Sequence, residues 1–225
     1  SYHAYVNAAM MEAFDLRWTL SVPLEFTSSL NSTIQVAKNL ALLGEDADLV
    51  EKIDCVTRHK LHLSIPATIY ARWQGRTYIS LRSPLPPQSA RTVAQACGGH
   101  LVSIGSKAEN TFVAQMVSFD KSLFSIGYDQ ETGTNYKDGP LIGLFQAPNG
   151  QEPRGGWAWT NGEPTRFTAW LPGQPNEFKG VGNEDFAKLT RYIKGADRSM
   201  ETVLADGWAD TDARWSKGFI VEWDN

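Results

Sequence analysis

The spacing of apolar residues divides the chain in two. In the first part they recur at helical intervals. Val6, Met10, Ala13 and Phe14 share one face, as do Leu30, Ile34, Ala37, Leu40 and Ala41. Gly44 then reads as a helix stop, and Asp46 as the cap of a short helix carrying Leu49, Val50 and Ile53. Two or three helices, with an extended stretch near residues 20–26, are expected for residues 1–75. From about residue 59 the texture changes. Ile65, Thr68, Ile69, Tyr70 and Trp73, then Thr77, Tyr78 and Ile79, form two β-rich runs with Gln74-Gly75 as the turn between them. Ser83-Pro84-Leu85-Pro86-Pro87 is a rigid connection. Ser89 is placed to cap a helix through Ala90, Val93, Ala94 and Cys97 that stops at Gly98-Gly99. Leu101-Val102-Ser103-Ile104 predicts a short strand. Ser106 with Glu109 forms a capping box for a helix from Lys107 to about residue 119. Residues 124–190 read as loop-rich, and Phe219-Ile220-Val221-Glu222-Trp223 as a closing strand.

Composition narrows the classes. The 225 residues are 42% hydrophobic and 20% charged, enough apolar surface for a folded core. No apolar run is long enough to span a bilayer. A net charge of -4 and a pI near 5.6 give no electrostatic case for nucleic acid. Two cysteines cannot make a disulfide framework. A Cys55–Cys97 bridge is one alternative and a pair of buried thiols, the expected one, is the other. Six of the eight tryptophans crowd the last third: Trp157, Trp159, Trp170, Trp208, Trp215 and Trp223. No basic stretch followed by an apolar one opens the chain, so no signal peptide is expected in it.

Several short motifs in the chain lack the partners their chemistry needs. His59 and His62 would face opposite sides of a strand, and no acid or cysteine cluster completes a zinc site. Ser118-Phe119-Asp120-Lys121 matches Ser-x-x-Lys without its partner motifs. Asn31-Ser32-Thr33 is a glycosylation acceptor by pattern. His100 receives no role.

From residue 76 onward the motifs resemble the C-type lectin-like domain. They run from Thr77-Tyr78 and the 89–97 helix to Gly98-Gly99-His100-Leu101-Val102-Ser103-Ile104 and Ala108-Glu109-Asn110. Ile142-Gly143-Leu144, Trp157-Ala158-Trp159, Gly162-Glu163-Pro164 and Phe167-Thr168-Ala169-Trp170 follow. Gly173-Gln174-Pro175-Asn176, Asn183-Glu184-Asp185-Phe186, Gly207-Trp208-Ala209-Asp210 and the last strand close the series in the family's order. The resemblance covers residues 76–225. It implies an α+β fold with two helices, small antiparallel sheets, paired terminal strands and a long loop region carrying the ligand site. Residues 1–75 would be a mainly helical region that docks on this domain or oligomerises.

By the same resemblance Pro175 is cis, and Gln174, Asn176, Glu184 and Asp210 match the principal calcium site. All four offer the hard oxygen ligands that Ca²⁺ takes. Two departures weaken the match. Ala209 replaces a fifth ligand, and Gln-Pro-Asn is neither the mannose-type nor the galactose-type triplet. An auxiliary calcium site at Gln146, Glu177, Glu184 and Asp185 is expected to be weak or absent. The family's core disulfides fall at Ala94 with Val221 and at Phe186 with Ala213, so the disulfide-free, microbial type is expected, with packing in place of the clips. Trp157, Trp159, Trp170, Trp208 and Trp223 sit at scaffold positions. Trp215, and with it Phe178, is left as the aromatic ligand contact, and the 127–139 insertion with Tyr128, Asn135 and Tyr136 as a further surface.

The functional expectation is a non-catalytic binding protein: a carbohydrate-binding, calcium-dependent lectin or adhesion module at Gln174, Asn176, Glu184, Asp210 and Trp215. The alternative is a calcium-independent protein-interaction or assembly module. A glycan or cell-surface protein is the expected partner, with homo-oligomerisation or larger assembly through residues 1–75, at a secreted or cell-surface location. An enzyme such as the formylglycine-generating type is disfavoured because its catalytic cysteine pair has no counterpart.

Overall fold

The computed structural model describes residues 18–19, 47–58, 68–118, 120–129, 133–177, 183–194, 202–212 and 216–224. The proposed helical faces at 6–14 and 30–41, the 31–33 acceptor, His59, His62, Phe178 and Trp215 lie outside them.

Strand β1 (Trp18–Thr19) pairs with β2 (Thr68–Trp73), which forms a hairpin with β3 (Arg76–Leu81). Gln74 and Gly75 both take positive φ, 49° and 83°, as a two-residue hairpin with the twist of its strands requires. The closing strand β10 (Phe219–Trp223) lies antiparallel to β3, with Trp223 opposite Thr77 and Phe219 opposite Leu81. It also pairs with β4 (His100–Leu101) and runs parallel to β6 (Thr134–Gln146) at Leu141. Beyond β6 come β8 (Phe186–Lys194) and β9 (Thr202–Thr211), completing the order β1-β2-β3-β10-β6-β8-β9.

Both faces of this sheet are covered, and the two-residue period of the strands sorts the side chains between them. On one side α3 (Lys107–Ser118) places Phe112, Val113, Met116 and Val117 against Tyr78, Ile142, Leu144, Leu189, Trp208 and Ile220. On the other, α2 (Pro87–Ala96) sets Ala90, Val93 and Ala94 against Ile79, Leu81, Leu141, Phe219 and Val221. Helix α1 (Ala47–Arg58) joins this second layer through Leu49, Ile53 and Val56, spaced one per turn and at most 1% exposed. Residues 47–58 and 68–75 thus share the core of the domain that follows.

Four local expectations change. The bridge is formed: Cys55 of α1 is bonded to Cys97 at the end of α2, with the Cα atoms 5.6 Å apart, so the domain is not disulfide-free. The packing of α1 against α2 brings the two cysteines together, which no sequence spacing encodes. Helix α2 starts two residues before Ser89, with Pro87 at its first position. The fixed φ of proline suits that position and its missing N–H costs nothing there. The strand expected over 101–104 is only His100–Leu101, and Val102 continues as a buried extended segment bonded to Ile220 and Gly143. The first part of the 124–190 region is not loop. Ser125–Asp129 (β5) and the start of β6 make a hairpin, and Ile126 and Tyr128 stand exposed upon it. Glycine, proline and polar residues masked this strand period.

The capping box holds in part. The Glu109 N–H donates to Ser106 Oγ at 3.1 Å, but the Glu109 carboxylate accepts from Gly105 N–H and the Tyr78 hydroxyl instead of closing back on Ser106. The family's first disulfide pair, Ala94 and Val221, is fully buried in one apolar cluster. Among the described residues no helix is long and apolar enough to cross a membrane.

Candidate functional site

A long loop runs from β7 (Trp157–Trp159) to β8, and tryptophans hold its first half. Trp208, fully buried on β9, is the hub. Its ring meets Trp159 edge-on at 5.6 Å and Trp170 at 5.9 Å, and Trp170 meets Trp157 at 4.7 Å. The indole N–H of Trp208 donates to Asn110 Oδ1 at 2.8 Å. Its backbone N–H donates to Ala169 and its carbonyl accepts from Leu171, so the loop is laced to β9 through the main chain as well. Trp223, 4% exposed, donates its indole N–H to the Cys97 carbonyl. These tryptophans build scaffold.

Past Leu171 the loop turns through Gln174-Pro175, whose peptide bond is cis, and its fastening becomes polar. Asp210 Oδ2 accepts the backbone N–H of Asn176 at 2.9 Å and that of Glu177 at 2.8 Å. Glu177 Oε2 in turn accepts the backbone N–H of Glu184 at 3.1 Å. Three of the four expected ligand residues are therefore tied together: Asp210 to Asn176 directly, and Glu184 through Glu177. The fourth, Gln174, adjoins across the proline. Glu177 at φ 47° is where the backbone strains to present both N–H groups.

Burial and neighbouring carboxylates set the electrostatics of this corner. Burial raises the pKa of Asp210; the bonds from Glu177 and Asn176 oppose it, and the charge of Glu177 adds to it. Glu152 is raised by desolvation first and then by Glu177, Asp185 and Asp210. Two buried oxygens, Gln174 Oε1 and Asp210 Oδ1, have no hydrogen-bond donor among the described residues. Gln146 Oε1 is a third, while Gln146 Nε2 donates to Gly155. Unpaired buried acceptors beside carboxylates fit a hard cation, which takes oxygen ligands and no protons. Ala209 offers no oxygen side chain and lies buried opposite Lys188. Trp215, the expected aromatic contact, is outside the described residues.

The pairing of β3 with the closing strand, helices on both faces of the sheet and a tryptophan-laced loop whose cis-proline segment is fastened to β9 occur together in one chain order. This is a C-type lectin-like fold. Among solved structures similar to it are human lithostathine, at 19% identity over 69% of this chain and 97% of that one, with a TM-score of 0.47. The carbohydrate-recognition domain of the mouse scavenger receptor C-type lectin is 20% identical, covering 69% and 95%, also at 0.47. The Ca²⁺-independent C-type lectin SPL-2 from Saxidomus purpuratus is 18% identical, covering 69% and 91%, at 0.46. No family profile matches the chain, and no curated protein matches it by sequence.

The lectin-like motifs concealed two features. Glu177 was assigned only to an auxiliary ion site, yet its backbone and carboxylate link Asp210 to Glu184. Its position after Gln-Pro-Asn was the available signal. His100 lies 3.3 Å from Asp224 and 3.8 Å from Glu222, in a charge cluster that only the pairing of β4 with β10 assembles.

Proposed function

We propose that this protein is a non-catalytic binding module of the lectin type. In this reading Gln174, Asn176, Glu184 and Asp210 hold a calcium ion and, with it, the hydroxyls of a glycan. The observation that carries it is the pair of buried, donor-less oxygens, Gln174 Oε1 and Asp210 Oδ1, the second on the carboxylate that holds the Asn176 N–H. A divalent cation would offset the burial cost that now raises the Asp210 pKa. The site has few carboxylates and lacks the ligand replaced by Ala209, so weak binding is the expectation. A bridged cysteine pair supports a secreted or cell-surface setting, where disulfides persist.

A second reading, a calcium-independent interaction module, is favoured by one contact set. Asp210 already satisfies two loop N–H groups, so the loop is held without an ion. Assembly through residues 1–75 belongs to that reading. A calcium titration followed by melting temperature separates the two. An ion that binds only the folded state at ~100 times its Kd adds about 2.7 kcal/mol of stability. A rise reversed by chelator, followed by calcium-dependent capture on immobilised glycans, supports the first reading. An unchanged melting curve at millimolar calcium overturns it.

A further inference from the structure

The densest charge cluster of the described residues shares no hydrogen bond with Asp210, Glu177 or Glu184. Arg76, on β3, is surrounded by four carboxylates from three parts of the chain. Its NH1 atom donates to Glu222 of β10 at 2.7 Å and lies 3.4 Å from Glu109 of α3. Its NH2 atom donates to Glu163 of the long loop at 3.1 Å, and its Nε lies 3.0 Å from Asp224. Ser103 completes the floor: its N–H and hydroxyl donate to Glu222 at 2.8 and 3.2 Å, and the same hydroxyl lies 3.1 Å from Glu163 Oε2. Asn161 donates to Ser103 Oγ and accepts the Glu163 N–H, so this loop segment is joined to the network through Ser103 as well. Tyr78 donates to Glu109.

The charges do not balance. One guanidinium faces four carboxylates, and one of these, Glu222, is 0% exposed. Glu222 and Glu109 are buried, whereas Glu163 and Asp224 are 34% and 55% exposed. Repulsion within the ionised cluster therefore falls on the two partly exposed carboxylates, Asp224 just past β10 and Glu163, and of these only Glu163 ties the long loop to Arg76. His100, Glu222 and Asp224 have ligand atoms within 4.8 Å of one another, but Arg76 already holds both carboxylates.

We propose that Arg76 and its carboxylates form a proton-operated clasp. It fastens the 161–163 segment of the long loop to the paired terminal strands, closes when Glu222 takes up a proton and loosens when the proton leaves. Arg76 and Glu163 are positioning residues of the loop. The groups facing Glu222 are Arg76 and Tyr78 from β3, His100 from β4, Ser103, Glu109 from α3, Glu163 and Asp224. Burial pushes the Glu222 carboxyl up to about 7; Ser103, His100 and Arg76 oppose this and Glu109 adds to it. The proton therefore exchanges near neutral pH. The clasp does not depend on calcium at Asp210.

Amide hydrogen exchange of residues 161–163 in the chelated, calcium-free protein tests it, after correction for the intrinsic pH dependence. On going from pH 8 to pH 6, protection is expected to rise about tenfold, the worth of one charge-assisted hydrogen bond. Glu222→Gln, neutral at every pH, is expected to keep the high protection at pH 8. Glu163→Gln should give low protection at both pH values. Wild-type protection that is equal at pH 6 and 8, or a Glu222→Gln protein that retains the wild-type pH dependence, overturns the proposal. If Glu222→Gln does not fold, carboxyl NMR of the wild type replaces it. The Glu222 carboxyl and the Glu163 amide must then titrate with one midpoint, and separate midpoints overturn the clasp.

Discussion

Asp210 Oδ2 accepts the backbone N–H of Asn176 at 2.9 Å across 34 positions of sequence, and that bond holds the candidate ligand loop against β9. The same oxygen also takes the Glu177 N–H. Asp210→Ala leaves both donors unpaired, so a loss of about 2–4 kcal/mol in urea unfolding is expected. Asp210→Asn keeps an acceptor and sheds a charge that burial disfavours, so it should cost much less in calcium-free buffer. Both variants should lose any calcium-induced rise in melting temperature.

The pH profile of stability follows from Glu222. Burial lifts its pKa from 4.5 to about 7. Between those values the folded protein keeps a proton that the unfolded chain has released. Stability is therefore fully present below pH 4.5 as far as this group is concerned, and it falls as the pH rises towards 7. The drop is on the order of 3 kcal/mol. Asp210, raised chiefly by burial, contributes with the same sign. Urea midpoints measured from pH 4.5 to 8 should decline across this window, and Glu222→Gln should flatten the decline.

The Cys55–Cys97 bridge closes a 42-residue separation. Chain entropy alone assigns such a loop a stabilisation of about 4 kcal/mol. Cys55→Ser or Cys97→Ser should therefore lower the melting temperature markedly. Proteolysis should find its first cut near α1, because the bridge and the Leu49, Ile53 and Val56 face together hold that helix. Equal stability with and without reductant would count against the bridge.

Trp208 and Asn110 form a buried pair whose members are not independent. Trp208→Phe removes the donor at 2.8 Å and leaves Asn110 Oδ1 without it, and Asn110→Leu strands the indole N–H. Each is expected to cost about 1–3 kcal/mol, and the double variant less than the sum. Trp208→Ala should cost about 3–5 kcal/mol. Chemical denaturation of the four proteins measures the coupling.

How much was legible in advance depended on whether the signal was local. Helix α1 was readable from Leu49 and Ile53, the β2–β3 turn from Gln74-Gly75, and the Ser106 cap from its spacing to Glu109. Each is decided within one or two turns of chain. The motifs from Gly98 to Trp223 also placed the cis-proline loop and the tryptophan scaffold. The β5–β6 hairpin escaped because its strand period is interrupted by Gly127, Gly133 and Gly139. The Tyr136 ring lies so close over Gly127 that an added Cβ would meet it at 2.2 Å, which explains the glycine and hides the strand.

The sequence alone thus determined the three helices, the β2–β3 hairpin, the closing strand, the order of motifs and the oxygen-bearing residues around Pro175, because propensity, capping and turn chemistry act over a few residues. Only the tertiary structure decided that Cys55 meets Cys97, that Asp210 spends one oxygen on two loop amides, and that four carboxylates from distant segments converge on Arg76. Those outcomes depend on burial and on charges brought together by strand pairing. Neither the cost of burying Glu222 nor the company it keeps is written in the residues beside it.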